Sequence, residues 1–170
     1  MKIVGFETNE GLRLGIVEGD QVIDLQAVDP GLPGDLRVVL ARNNGDLAPL
    51  AELAKRAPAS AKRPLKGLKF GLPVANPGKV VCLGLNYVEH AKEGGHQKMP
   101  EFPTIFMRCN SSLAPHESAL LRPRVSETFD YEAELAVIIG KKAKHLTLDN
   151  AYSCIAGYTC FNDGSIRKFQ

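Results

Sequence analysis

The stretch "FDYEAELAVIIGK", Phe129 to Lys141, constrains this chain more than any other segment. From Glu132 to Ile139 it reads as a buried β-strand, two glutamates leading into an apolar run that stops at Gly140. Side chains of a strand alternate between faces, so Glu132 and Glu134 point the same way. Tyr131, Ala133, Leu135, Val137 and Ile139 form the opposite face, all able to pack, while Ala136 and Ile138 continue the glutamate face. Both faces are therefore apolar except where two carboxylates lie side by side. Burying two like charges together is costly unless something neutralises them. Taken alone, Glu-x-Glu on a strand most often marks a solvated face, because most antiparallel sheets keep one wet side. The apolar continuation argues against that reading here.

A third acid, Asp163, ends another apolar strand, "GYTCFND". Three carboxylates with no Cys or His beside them suit a hard divalent cation, Mg²⁺ or Mn²⁺, with water completing its shell. Asp163 by itself can equally be a turn or cap residue. A second constellation is His90 and Glu93, three residues apart and hence on one face of a short helix that follows a strand end. A carboxylate beside an imidazole raises its basicity and fixes its tautomer, as a general base needs. An ordinary exposed histidine on a surface helix would show the same spacing. His96, His116 and His145 read as loop residues with no assigned role. "VVCLGLNY" follows a strand and opens a helix but lacks G-x-G-x-x-G, so it is no dinucleotide site.

Composition narrows the function classes. The 170 residues are 44% hydrophobic, enough for one good core and a small second domain. With 21 Lys plus Arg against 19 Asp plus Glu, the formal charge is only +2, and no clustered basic face with interleaved aromatics signals nucleic acid. The densest basic stretch, "AKRPLKGLK" (Ala61–Lys69), reads as a solvated linker. No run approaches the ~18 apolar residues of a membrane span. The N-terminal stretch turns charged too early for a signal peptide. Cys82, Cys109, Cys154 and Cys160 show neither CxxC nor zinc spacing, and Cys82 and Cys154 read as reduced packing residues of a cytoplasmic protein.

The order of elements predicts a mixed α+β chain, richer in strand after residue 78. "KIVGFE", "LRLGIVE" and "QVIDL" alternate and are separated by Gly/Asp turns, so they predict an antiparallel meander. "GDLRVVLARNN" and "LAPLAELAKRA" carry apolar residues at helical spacing. "PASAKRPLKG" is the expected linker between a small N-terminal domain, residues 1–72, and a second domain, residues 73–170. Beyond it "GKVVCLGLN" predicts a strand, "NYVEHAKEGG" a helix capped by Asn86, and "TIFMR" a strand.

Taken in order, "VVCLGLNYVEHAKE", "TIFMR", "FDYEAELAVIIGK" and "GYTCFNDGSIRKFQ" resemble the signature blocks of the fumarylacetoacetate hydrolase superfamily. "MKIVGFETNEGLRLGIVEGDQVIDL" is similar to the small N-terminal domain of its bacterial members. The resemblance implies a mixed α+β fold, a β-rich roll of the fumarylacetoacetate hydrolase type present here in part, in homodimers or larger homo-oligomers. It implies Mg²⁺ or Mn²⁺ held by Glu132, Glu134 and Asp163, which would neutralise the paired glutamates. It matches the catalytic His and Glu to His90 and Glu93, and a substrate-contacting glutamine to Gln170. Arg108 stands where Lys is common and keeps the charge as a planar fork suited to a substrate carboxylate. Gly164 and Ile166 also depart from the common pattern, pointing to a subgroup. The family's catalytic domain continues past Gln170, with an active-site lysine expected shortly beyond.

The expected activity is metal-dependent hydrolysis of a C–C bond in an acylpyruvate-type 2-oxo acid or β-diketone, His90 and Glu93 activating water. Oxaloacetate decarboxylation and keto–enol isomerisation would use the same metal-stabilised enolate. An alternative of another class is a non-catalytic fragment that binds a metal or a partner.

Overall fold

The computed structural model describes residues 1–95 and 98–169. Strands β1 (Ile3–Thr8), β2 (Gly11–Glu18) and β3 (Gln21–Asp24) form the meander that the alternation predicts, each antiparallel to the next. Gly11 and Gly19 supply the turns, with φ of 111° and 63°. Helix α1 (Leu25–Val28) follows β3 without a loop, because Asp24 caps it by accepting from the Ala27 amide. Helices α2 (Leu36–Arg42) and α3 (Ala48–Lys55) lie where the apolar spacing predicts. Asp35 caps α2 through the Arg37 amide, and a proline sits in the first turn of α3. Leu14, Ile16 and Ile23 of the sheet pack with Leu25, Leu36, Val39, Leu40, Leu50 and Leu53 of the helices. Each fully buried aliphatic side chain in such a cluster contributes about 1.5–3 kcal/mol.

The basic stretch expected as a solvated linker is part of this sheet. Strands β4 (Lys62–Pro64) and β5 (Phe70–Gly71) pair with β3 and β1, giving the order β4-β3-β2-β1-β5. Its cations explain the outcome: Arg63 binds Asp24, Lys62 binds Glu18 at 2.7 Å, and Lys69 binds Glu7. Short strands held by side-chain ion pairs leave no periodic pattern to read.

Strands β6 (Val80–Gly84) and β7 (Thr104–Arg108) make an antiparallel pair, with helix α4 (Val88–Glu93) between them in sequence. Tyr87, not Asn86, is the N-cap of α4, and its side chain does not cap the helix. Leu85 adopts φ 55° instead, a left-handed turn that carries the chain from strand into helix at a cost of about 1–2 kcal/mol.

Strands β8 (Phe129–Asp130), β9 (Ala133–Ile139), β10 (Ile155–Asn162) and β11 (Ser165–Ile166) complete the chain, β9 pairing with β10 and β8 with β11. Residues 1–75 and 114–170 group into one compact unit and 76–113 into a second, a different grouping from the split at residue 72 that the linker suggests. Within the first unit the grouping has a packing cause. Ile138 and Ala156, at the far end of the β9–β10 pair, lie against the leucine core, and Gly45 approaches Gly140 too closely for a Cβ to be comfortable. Among the described residues no helix is long and apolar enough to cross a membrane.

Candidate active site

Strands β8 to β11 are one long ribbon. Ser165 faces Asp130 and Ile166 faces Phe129; further along, Asn162 faces Ala133 and Gly157 faces Ile138. The register is unbroken between these points, and the Asp163 amide donates to the Glu132 carbonyl at 3.0 Å in the gap. Asp163 therefore stands across from Glu132, and Phe161 across from Glu134. Residues directly opposed on an antiparallel pair project from the same side. One face of the ribbon thus carries Asp130, Glu132, Glu134, Asp163 and, opposite Thr128, Arg167.

Burial separates the two faces, where the apolar pattern on both leads one to expect a strand covered on each side. Glu132, Glu134, Ala136 and Ile138 are half-buried, whereas Tyr131, Leu135, Val137 and Ile139 are 75%, 61%, 44% and 60% exposed. The Tyr131 face, able to pack by its composition, is the open one. Ile138 shows why: the glutamate face is the side that continues onto the leucine core. Tyr158, 56% exposed and paired with Val137, extends the uncovered apolar surface.

The acids differ in burial and in their contacts. Asp163 is 5% exposed, and its carbonyl accepts from the Ser165 hydroxyl at 3.1 Å. Gly164 leaves room for Phe129, whose ring would lie 2.9 Å from an added Cβ, which accounts for the small residue at this position. Arg167 bridges two acids, its Nη1 donating to Glu132 Oε1 at 2.5 Å and its Nε and Nη2 lying 3.1 and 3.0 Å from Asp130 Oδ2. Burial alone would push the Arg167 guanidinium down, but its bonds to Asp130 and Glu132 outweigh this and hold it above its ordinary value. Arg167 and Asp130 were not singled out from the sequence, although both lie within the blocks "FDYEAEL" and "NDGSIRKFQ".

Whether these residues fit a divalent cation has a mixed answer. All three candidate donors are hard oxygens on one face, the right chemistry for Mg²⁺ or Mn²⁺. Yet among the described residues no three His, Cys, Asp or Glu side chains gather closely enough to hold an ion. Glu132 is engaged by Arg167. The fit lies in donor type and register alone.

In the second unit His90 and Glu93 lie on one side of α4 as the spacing predicts, His90 Nδ1 and Glu93 Oε2 being 3.9 Å apart. That is too long for a hydrogen bond. The His90 side chain is 33% exposed and that of Glu93 80%. Ala91 is the buried residue that anchors the helix. Arg108, half-buried on β7 and paired with Val80, places its guanidinium 5.6 Å from the centre of the Phe106 ring. His116 packs edge-on against Phe70, and His145 is an exposed loop residue, so neither joins a candidate site. His96 and Gln170 lie outside the described residues. Two surface cavities, of about 190 and 280 Å³, are lined by Asn44, Gly140 and Cys154 and by Leu32, Pro49 and Arg56 among others, and by none of the candidate residues. All four cysteines are free thiols, Cys154 buried and Cys109 and Cys160 exposed.

Residues 79–170 match the C-terminal domain model of fumarylacetoacetate hydrolase. The chain belongs to that family. The family match contains every candidate site residue. A mitochondrial oxaloacetate tautomerase of Rattus norvegicus is 39% identical over 168 residues, covering 96% of this chain and 51% of its own length. The Homo sapiens oxaloacetate tautomerase FAHD2A, also mitochondrial, is 38% identical over 177 residues, covering 100% and 54%. The chain spans about half the length of the curated relatives it matches. Among solved structures, a Mycobacterium smegmatis protein superposes with a TM-score of 0.79 at 26% identity, over 99% of this chain and 57% of its own. A maleylpyruvate hydrolase of Sphingobium, solved with manganese(II) and pyruvate, gives 0.70 at 24% identity over 96% and 59%, and shares the fold. The partial roll of the fumarylacetoacetate hydrolase type, with a small N-terminal α+β part, is thus the architecture of this family member.

Proposed function

We propose that this chain provides the carboxylate site of a metal-dependent enzyme acting on 2-oxo acids through their enol forms, with keto–enol isomerisation of an oxaloacetate-like dicarboxylate as its reaction. The observation that carries the reading is the unbroken ribbon register, which sets Glu132, Glu134 and Asp163 on one face. The relatives named oxaloacetate tautomerases support the substrate class. A cation held by those three carboxylates would act as a Lewis acid on the neighbouring carboxylate and enol oxygens of the substrate. The chain's own groups then have simple roles. His90, kept near Glu93 by the helix, accepts the proton leaving the carbon beside the 2-oxo group and delivers one to the 2-oxo oxygen to complete the enol; in the reverse sense the proton leaves that oxygen and returns to carbon. Arg108, and Gln170 beyond the described residues, grip the distal carboxylate, the guanidinium by its fork.

Hydrolysis of an acylpyruvate C–C bond is the second reading, motivated by His90 and Glu93 sharing one side of α4, where closing their 3.9 Å gap would give a pair able to activate water. The same screen separates the two. With Mg²⁺ or Mn²⁺ present, the protein should speed the decay of enol-oxaloacetate absorbance, while release of pyruvate from an acylpyruvate marks hydrolysis. Chelation with EDTA should remove the activity, and Glu132→Gln should remove the activity that added metal supports. Full activity in EDTA would overturn the metal-dependent reading.

We further propose that copies of this chain associate through the open face of β9 and β10, since contiguous exposed apolar surface marks an interaction site. Sedimentation should show a dimer or larger species, shifted toward monomer by Leu135→Glu with Val137→Glu. A monomeric wild type would remove this face as an interface between copies. The cytoplasm is the compartment proposed, on the four free thiols.

A further inference from the structure

We propose that the cavity of about 280 Å³ bordered by α2, α3 and the turn before α2 binds a small organic acid with an apolar body, its carboxylate held by Arg42 and Arg56. The inference stands apart from the ribbon and its carboxylates, because the cavity lies wholly within residues 29–56. Three elements shape it. Pro49, Leu50, Leu53 and Arg56 recur at three- and four-residue steps along α3 and its C-cap, so they form one stripe of that helix. Val39 and Arg42, three residues apart, do the same for α2. Leu32 and Pro33 close the third side. Their turn is held by the Leu32 amide donating to the Asp29 carbonyl and the Gly31 amide donating to Asp29 Oδ1, both at 3.0 Å. The floor reaches the core: Val39, Leu50 and Leu53 are 2%, 1% and 8% exposed and still border the cavity. Small-molecule sites combine such an apolar lining with a few convergent polar groups.

The polar groups here are unevenly charged. Two cations, Arg42 and Arg56, border the cavity against one acid, Asp29, whose Oδ1 already accepts from the Gly31 amide. Among the described residues Arg42 has no ion-pair partner, and Arg56 donates only to the Glu52 carbonyl, 3.4 Å from its Nε. The Glu52 carboxylate is engaged by Lys55 at 2.7 Å. Both guanidinium forks are therefore open to a ligand, and such a fork matches a carboxylate with two parallel hydrogen bonds. Two cations against one acid leave a single positive charge, which one carboxylate balances. Both arginines also end helices, where a cation complements the dipole. That role needs charge at a helix end and has no use for an apolar cavity between the two. The volume falls just below the ~300–1,000 Å³ of drug-sized sites, so the apolar body is short.

The test is titration of the whole chain with hexanoate, read by proton–nitrogen NMR shifts, with hexan-1-ol as the uncharged analogue. Hexanoate is expected to saturate with a dissociation constant of about 1 mM or below, the order open to a ligand of so few atoms. Its shifts should centre on the turn at 29–33, the end of α2 and α3. Arg42→Gln combined with Arg56→Gln, both exposed positions, should weaken hexanoate roughly 10- to 100-fold, the worth of charged hydrogen bonds, and leave hexan-1-ol unchanged. Leu32→Trp, which fills the cavity from a half-buried position, should weaken both ligands. Melting curves without ligand report whether each variant folds, and if one does not, the other decides. No saturable shift up to about ten times the expected constant overturns the proposal. So does hexanoate binding that is no tighter than that of hexan-1-ol, that moves amides elsewhere, or that is unchanged in either folded variant. Arginines that serve the helix dipoles alone would give that last result, a double variant that melts lower yet binds hexanoate as the wild type does.

Discussion

Asp24→Ala is expected to destabilise the protein by about 3–5 kcal/mol, the cost of breaking a buried ion pair by removing one partner. Asp24 is fully buried, the last residue of β3 and the N-cap of α1. Its Oδ2 accepts from Arg13 Nη1 at 2.7 Å and from Arg63 Nε at 3.1 Å, and its Oδ1 from the Ala27 amide at 3.2 Å. One carboxylate thus ties β2, β3, β4 and α1 together. Removing it leaves Arg13, whose side chain is 17% exposed, with the exposed Glu10 as its remaining acidic partner among the described residues, and leaves the first turn of α1 uncapped. The Arg13 guanidinium is held above its ordinary value chiefly by its bond to Asp24. A cation raised in the folded state stabilises below its unfolded value and loses that contribution only as pH rises through the folded value. For an arginine this lies at strongly alkaline pH, so the Arg13 side of the pair should add no pH dependence near neutrality. The measurement is thermal denaturation, where a loss of this size should lower the midpoint by roughly 10 °C or more. A shift of about 2 °C or less would mean that β4 is held by its backbone pairing alone.

The same cluster marks a limit of reading the sequence. The meander and helices α2 and α3 were legible because each carries its own signal: alternation between Gly/Asp turns for the meander and apolar residues at helical spacing for the helices. Strands β4 and β5 carry none. Three and two residues long, they sit among Pro, Gly and cations, and they are strands because β3 and β1 offer them backbone partners, with ion pairs to Asp24, Glu18 and Glu7 alongside. That information is long-range and absent from any local window.

The ribbon shows a subtler version. Alternation in "EAELAVII" revealed two faces and put both glutamates on one of them, which the structure bears out. It could not say which face is covered, because both are apolar and coverage depends on what lies above. Placing Asp163 opposite Glu132, and Arg167 between Glu132 and Asp130, required the pairing register between segments some thirty residues apart in sequence. The cap of α4 failed for a local reason: Leu85 took the left-handed turn, and Asn86 lost the geometry a cap needs.

His90→Ala is expected to lower turnover of the enol substrate by ~10²–10⁴, the range for losing a general acid–base group, while leaving cation affinity nearly unchanged. The second half of that expectation follows from the donor set, since the three carboxylates need no nitrogen to bind a hard ion. Glu93→Ala tests how the pair works. At 3.9 Å the carboxylate does not fix the imidazole's tautomer, and at 80% exposure it is well solvated. If that spacing persists during catalysis, Glu93→Ala should cost far less than His90→Ala. If Glu93 closes onto His90 only with substrate bound, as catalytic hydrogen bonds often do, the two variants should be comparably slow and the double variant little slower than either. Rate constants under saturating metal for the three variants distinguish these cases. A His90→Ala protein as fast as wild type would remove the imidazole from the chemistry, leaving proton transfer to another group.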